Sequence, residues 1–132
     1  MPTHTQTSIL FVLTSADKTL DGKPIGWYLP EAAHPWFALR DYFNIVFASP
    51  KGGVAPLDQS SVENFKDEQS VTFLNDSKTK YLVKNTHKLS NIKEEDYVAI
   101  FVVGGVGAWV EGGVGMTYNA DMSAWSHDRP GL

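Results

Sequence analysis

The sequence has 132 residues, a length that fits one domain, and it carries a formal net charge of −4. A negative chain is a poor partner for nucleic acid or for an anionic membrane surface, because both require a basic field. The sequence also contains no cysteine, which excludes disulfides, thiolate metal sites and a cysteine nucleophile within these residues.

The N-terminal segment lacks a basic stretch, and the first apolar run, residues 9–13, is short. A run of that length is insufficient for the core of a signal peptide or for a membrane span. We therefore expect a cytoplasmic protein with no membrane partner.

Three continuous apolar runs, residues 9–13, 45–48 and 98–103, predict the strands of a parallel sheet. They are rich in β-branched and aromatic residues and do not alternate with polar ones, as is typical of strands buried on both faces. All three are therefore predicted to be central strands. A loop of small or polar residues follows each run, and ligands of open α/β sheets bind at the carboxyl ends of the strands. We expect the functional site on these three loops.

A helix is predicted between the first two strands. Pro30 suits the first helical position, and Glu31 suits the positive end of the helix dipole. Pro35 is compatible with the helix only within its first two turns. The apolar residues that recur at near-helical spacing are Trp36, Leu39 and Phe43.

The rest of the chain has weaker patterns. Residues 58–96 are polar with scattered apolar anchors, which favours short helices and turns. Residues 108–132 have neither clear periodicity nor another buried-strand run, and they are predicted to form an irregular tail.

Glu31 is the first candidate functional residue. A carboxyl group at a helix start, facing the loop after a central strand, is placed for acid/base chemistry. Alternatively, Glu31 only complements the helix dipole at an exposed surface, and the spacing by itself favours this simpler role.

A metal site and other cofactors are not predicted. Glu31 and His34 share one helical face, but a metal site needs at least three protein ligands, and the other histidines show no paired spacing with them. We expect His34 to be a packed or hydrogen-bonding side chain.

The glycine-rich loop at residues 104–107 has two open interpretations. Its backbone N–H groups are suited to bind an anion or oxyanion, or the glycines serve a turn with positive φ. The loop does not match the dinucleotide or phosphate-loop fingerprints. The serines lie outside any Gly-x-Ser-x-Gly elbow, so we expect them to make turn hydrogen bonds.

Three ordered motifs resemble the ThiJ/PfpI superfamily, and more narrowly its branch of glutathione-independent glyoxalases and heat-inducible chaperones. They are residues 26–36 (GWYLPEAAHPW), 47–58 (FASPKGGVAPLD) and 96–105 (DYVAIFVVGG). The resemblance runs from about residue 8 to residue 107.

The resemblance implies an α/β, flavodoxin-like three-layer sandwich with a parallel sheet. It also implies a lyase that converts methylglyoxal, a small 2-oxoaldehyde, to D-lactate (glyoxalase III or D-lactate dehydratase), with reported protein deglycase and holding-chaperone activities. In that chemistry a cysteine thiolate attacks the aldehyde and a glutamate moves a proton between two carbons. Glu31 matches the glutamate, and Gly105 matches a glycine whose N–H helps to bind the oxyanion.

The chain departs from the family pattern in its second half. Val106 replaces the histidine of a Gly-Gly-His-Gly loop, and Val103 replaces a proline. The Ala-Val-Cys-His-Gly elbow that carries the nucleophile has no counterpart after Gly107. We therefore expect residues 1–107 to be the N-terminal part of a family domain with an incomplete C-terminal half, as in a truncated or reframed member.

Two functions of different class follow from this pattern. Either the chain is a catalytically inactive relative of the glyoxalases in which Glu31 survives, or it is a non-catalytic, chaperone-like fragment. In the second case the incomplete second half leaves a sheet edge beside residues 98–103 and apolar sheet surface exposed, and these bind a second copy or an unfolded client protein.

Overall fold

The computed structural model describes residues 7–104 and, nearer the C-terminus, the backbone of two short strands. In chain order the strands are β1 (Ser8–Val12), β2 (Asn44–Ser49), β3 (His87–Lys88) and β4 (Ala99–Val102). The helices are α1 (Leu29–Leu39), α2 (Gln59–Asn64), α3 (Glu68–Asn75) and α4 (Ser77–Lys84). The two remaining strands, β5 (Thr117–Tyr118) and β6 (Trp125–Ser126), pair antiparallel.

The main sheet is parallel and has the strand order β3-β2-β1-β4. Phe11 in β1 lies opposite Phe47 in β2 and opposite Phe101 in β4. The predicted strand–helix–strand order is confirmed, and the α/β class is the one expected. The short helices and turns predicted for residues 58–96 are also present, together with β3, which the sequence did not indicate.

The central position predicted for the third run from its apolar pattern is wrong, whereas the exposed edge expected beside residues 98–103 from the incomplete second half is present. Within the described part of the chain, β4 lies at the edge of the sheet rather than in its centre. Val98, just before β4, is 63% exposed and Phe101 is 36% exposed. A continuous apolar run does not distinguish a central strand from an edge strand, because burial depends on which neighbours arrive from elsewhere in the chain.

Helix α1 begins close to the predicted position, with Pro30 in its first turn. Pro35 is its seventh residue, so its missing N–H group falls within the first two turns, as the prediction required. The helix ends at Leu39, before the predicted Phe43. The N–H groups of Tyr42 and Phe43 both donate to the carbonyl of Leu39, which turns the chain towards β2.

The helices pack on one face of the sheet around an aromatic cluster. The Phe47 ring lies 5.4 Å from Phe11, 5.8 Å from Trp36 and 6.3 Å from Phe73 between ring centroids. On the other face, Leu10 and Val12 are buried, and the segment that contacts them includes Leu89, Ile92 and Tyr97. The described sheet is therefore packed on both faces, by helices on one and, on the other, by residues 89–97, which contain the short 3-10 helices Leu89–Asn91 and Glu94–Asp96.

Candidate functional site

The carboxyl ends of the three predicted strands meet at one edge of the sheet. Their pairing continues past the strand ends, since Leu13 N–H donates to the carbonyl of Ala48 at 2.8 Å and Val103 N–H donates to the carbonyl of Val12 at 2.9 Å. Parallel strands present their carboxyl ends together, so the loops after β1, β2 and β4 are neighbours, as expected.

Hydrogen bonds join these loops to one another. Lys51 N–H, after β2, donates to Ser15 Oγ at 2.9 Å, after β1. Tyr28 N–H, just before α1, donates to the carbonyl of Gly104, after β4, at 3.1 Å. The start of α1 is thereby attached to the end of β4.

Glu31 faces the end of β4. If Gly104 carried a Cβ, that atom would lie 2.8 Å from the Glu31 carboxyl carbon and 2.9 Å from Oε2, closer than real side chains approach. The carboxylate therefore occupies the space that a side chain at position 104 would fill. Glu31 is exposed and stands in the first turn of α1, so it is open to a small molecule and also close to the positive end of the helix dipole.

Gly26 fixes the approach of the chain to α1. A Cβ at Gly26 would lie 2.5 Å from the Leu57 carbonyl carbon and 2.6 Å from the Asp58 nitrogen. This close approach allows Trp27 N–H to donate to the Pro56 carbonyl at 2.8 Å, and Asp58 N–H to donate to the Trp27 carbonyl at 3.0 Å. The absence of a side chain at position 26 therefore helps to set where Glu31 stands.

Ser61 holds the start of α1 from the other side. Its Oγ accepts a hydrogen bond from Leu29 N–H at 2.9 Å and donates one to the Asp58 carbonyl at 2.6 Å. Ser61 is fully buried, and Asp58 caps α2 by accepting from Ser60 N–H. The serine pattern predicts turn hydrogen bonds but does not indicate this contact with α1. The Asp-x-Ser-Ser pattern before an apolar residue signals the cap of α2, not its distant partner.

His34 makes a hydrogen bond, as predicted. Its Nε2 lies 2.8 Å from Asp67 Oδ2, and the same carboxylate caps α3 by accepting from Ser70 N–H at 3.1 Å. The hydrogen bond with His34, and next the hydrogen bonding with Ser70, lower the pKa of Asp67 from 3.8 to about 2. His34 therefore joins α1 to α3 and is engaged away from Glu31.

Several predicted features lie outside the described residues, or on residues of which only the backbone is described. These are Gly105 and the rest of its loop, and the tail at 108–132 apart from the backbone of β5 and β6. Among the residues that the structure describes, no group of three potential metal ligands comes together. No helix in that part is both long and apolar enough to cross a membrane.

The fold is similar to those of proteins with solved structures. The structure of Rapid Encystment Protein 24 kDa from Francisella tularensis superposes with a TM-score of 0.71 and 32% identity, over 77% of this chain and 46% of that one. Glyoxalase III from Candida albicans superposes with a TM-score of 0.65 and 30% identity, over 78% of this chain and 45% of that one. No protein-family model and no curated protein matches the sequence.

The chain thus spans slightly less than half the length of these solved structures. The superposed part is an α/β, flavodoxin-like fold, as the sequence resemblance implied. In its ordered motifs the chain resembles the ThiJ/PfpI superfamily, and its fold is similar to the folds of these two solved structures.

Proposed function

We propose that Glu31 and the loop at Gly104 form the proton-transfer half of a 2-oxoaldehyde site of the glutathione-independent glyoxalase kind. The observation that carries this proposal is the position of the Glu31 carboxylate over Gly104, at the carboxyl edge of the sheet. The likeness to a glyoxalase III structure and the match of Glu31 to the family glutamate support it.

The proposed chemistry divides between two groups. A thiolate adds to the aldehyde carbon of methylglyoxal, and the glutamate carboxylate removes the proton from that carbon and returns it to the neighbouring one. Water then releases lactate, so that the net reaction adds one water to methylglyoxal. The N–H of Gly105 is proposed to stabilise the oxyanion.

The present sequence supplies the glutamate but no cysteine. Without a thiolate, no adduct forms for Glu31 to act on. The purified 132-residue chain is therefore expected to form no lactate from methylglyoxal. Lactate formation by this chain would contradict the proposal that the reaction requires a cysteine thiolate.

A chimaera tests the role of Glu31 directly. Residues 1–104 are joined to a ThiJ/PfpI C-terminal half that carries the Ala-Val-Cys-His-Gly elbow, and folding is verified by circular dichroism. The chimaera is expected to form lactate, and Glu31→Gln to reduce the rate at least about 100-fold, in the range of general acid–base catalysis. Glu63→Gln is the matched control on α2. Equal rates for the Glu31 and Glu63 variants would refute the proposal.

The second candidate is a non-catalytic role in binding unfolded protein. It is favoured by the exposed Val98 and Phe101 at the edge strand β4. An unpaired strand edge with apolar side chains is suited to pair with extended, apolar segments of another chain.

A further inference from the structure

A second concave site lies away from Glu31, between the segment after β2 and the helices α3 and α4. The cleft has a volume of about 380 Å³. This is within the range of small-molecule sites, about 300–1,000 Å³. Neither Glu31 nor Gly104 lines the cleft, so it is distinct from the proposed oxoaldehyde site.

The floor of the cleft is apolar. Trp27 and Phe73 contribute to it, with ring centroids 5.9 Å apart in an edge-to-face arrangement. The one polar group of the indole is already used, because Trp27 Nε1 donates to the carbonyl of Ala55 at 3.4 Å. Both residues are 1% exposed, so the accessible apolar lining above them comes from Val54, Leu57, Leu74 and Val83.

At the mouth of the cleft, in the segment after β2, Val54 contributes an apolar side chain, and this position is called the lip. Val54 is 69% exposed there, directly after the glycine pair Gly52 and Gly53, both of which have positive φ. A ligand in the cleft would cover this side chain, and burial of apolar surface is favourable.

Two lysines stand at the rim of the cleft. Lys80 and Lys84 line it one helical turn apart on α4, and no Asp or Glu among the described residues lines it. In the described part of the chain, neither lysine forms an ion pair. Like charges at this spacing repel each other on a helix surface, and an anion between them removes that repulsion. On a chain of net charge −4, this is a local positive site.

We propose that this cleft binds a small amphipathic carboxylate, with its apolar part against the apolar side chains that line the cleft above Trp27 and Phe73, and its carboxylate between Lys80 and Lys84. The site is independent of the proposed glyoxalase-type chemistry. An apolar floor with a few convergent charged groups is the usual construction of such a site.

Octanoate is the probe for the test, with octanol and octylammonium as ligands of the same tail but neutral or positive head group. Isothermal titration of the full chain is expected to show one saturable octanoate site, weaker binding of octanol and no binding of octylammonium. Failure of octanoate to saturate, or equal affinities for octanoate and octanol, would overturn the proposal.

Variants assign the head-group contact to the rim. Lys80→Gln with Lys84→Gln is expected to weaken octanoate binding roughly tenfold, because two charge-assisted contacts are lost. The control is Lys66→Gln with Lys93→Gln, which removes the same charge from exposed positions outside the cleft. Equal weakening in both pairs would show a general charge effect and refute the site.

A third variant guards against loss of folding. Val54→Asp places a carboxylate at the exposed lip, where no core packing is disturbed, and is expected to weaken octanoate binding without lowering the melting temperature. Unchanged octanoate binding by this variant would also contradict the proposal.

Discussion

Gly26 and Gly104 both lack a side chain at a crowded position, but what crowds them differs. The atoms near Gly26 are backbone atoms of Leu57 and Asp58, which cannot move without disturbing the segment that holds α1. The atoms near Gly104 belong to the flexible end of Glu31. The first glycine is therefore needed for the fold, and the second leaves room for the carboxylate.

Alanine substitutions separate these two roles. Gly26→Ala is expected to lower the free energy of unfolding by about 3 kcal/mol, at the upper end of the usual cost of overpacking. Gly104→Ala is expected to cost less than about 1 kcal/mol, since the Glu31 side chain can turn away. Urea unfolding measures both. A larger loss for Gly104→Ala than for Gly26→Ala would show that the carboxylate is held rigidly.

The His34–Asp67 pair predicts a pH dependence of stability. Asp67 has a pKa of about 2 in the folded chain and 3.8 as its ordinary value. Because the folded pKa is the lower one, this contribution to stability is fully present above about pH 4 and is lost as the pH falls towards 2. In the Asp67→Asn variant, the free energy of unfolding is expected to fall less between about pH 4 and pH 2 than in the parent chain.

Chemical denaturation at several pH values between 2 and 6 measures this effect. His34→Gln is expected to reduce the same pH dependence of the unfolding free energy in part, because the His34 hydrogen bond is the largest cause of the low Asp67 pKa. Glu63→Gln serves as the control. If the unfolding free energy of His34→Gln depends on pH as steeply as that of the parent chain, the pKa of Asp67 is set by the cap of α3 instead.

At the scale of elements, the main contrast is between β1 and β4. Strand β1 pairs on both sides, with β2 and β4, and residues 9–12 are buried. Strand β4 pairs with β1 alone within the described residues, and its side chains are half-buried or exposed. The two apolar runs look alike in sequence, yet they have different environments.

Amide hydrogen exchange is expected to show this contrast. The amides of β1 should exchange slowly throughout, because the strand is buried and paired on both sides. Along β4, slow and fast amides should alternate, since alternate N–H groups of an edge strand point away from its partner. Uniform protection of β4 would mean that another segment or a second copy covers this edge.

At the scale of the whole molecule, the described residues form a packed core, but the sheet that carries it ends at the unpaired edge of β4. The aromatic cluster joins β1, β2, α1 and α3, whereas the far side of β4 has no paired strand in the part that the structure describes. The superposed part of this chain covers only 46% and 45% of the two solved structures that it resembles. An exposed apolar edge is a site for association with other chains.

This edge predicts a measurable activity in the non-catalytic role. The purified chain is expected to suppress aggregation of a chemically unfolded client protein, as followed by light scattering. Val98→Lys should reduce that suppression at least twofold, because Lys at a strand edge opposes pairing. Val71→Lys, at a 38% exposed position on α3, is the control. A chain that remains inert towards clients would exclude this role.

The parts of the fold that follow local patterns were predictable. Runs of β-branched and aromatic residues identify β1, β2 and β4, and Pro30 and Glu31 mark the start of α1. Other features depend on residues far apart in sequence. The Ser61 contact with Leu29 spans 32 positions, and the His34–Asp67 contact spans 33. Side-chain type alone does not reveal such partners, because many serines and histidines make only local hydrogen bonds.

The sequence by itself determined that these residues carry no thiol and that their apolar runs form strands of an α/β fold, because composition and local periodicity are properties of the chain alone. Its ordered motifs added the resemblance to the ThiJ/PfpI superfamily and, with it, the expectation of an exposed sheet edge beside residues 98–103. The tertiary structure decided that the Glu31 carboxylate fills the space over Gly104. It also decided that two lysines stand over an apolar cleft. These outcomes depend on which distant segments pack together. Contacts between residues far apart in sequence form only in the folded chain, so local patterns do not reveal them.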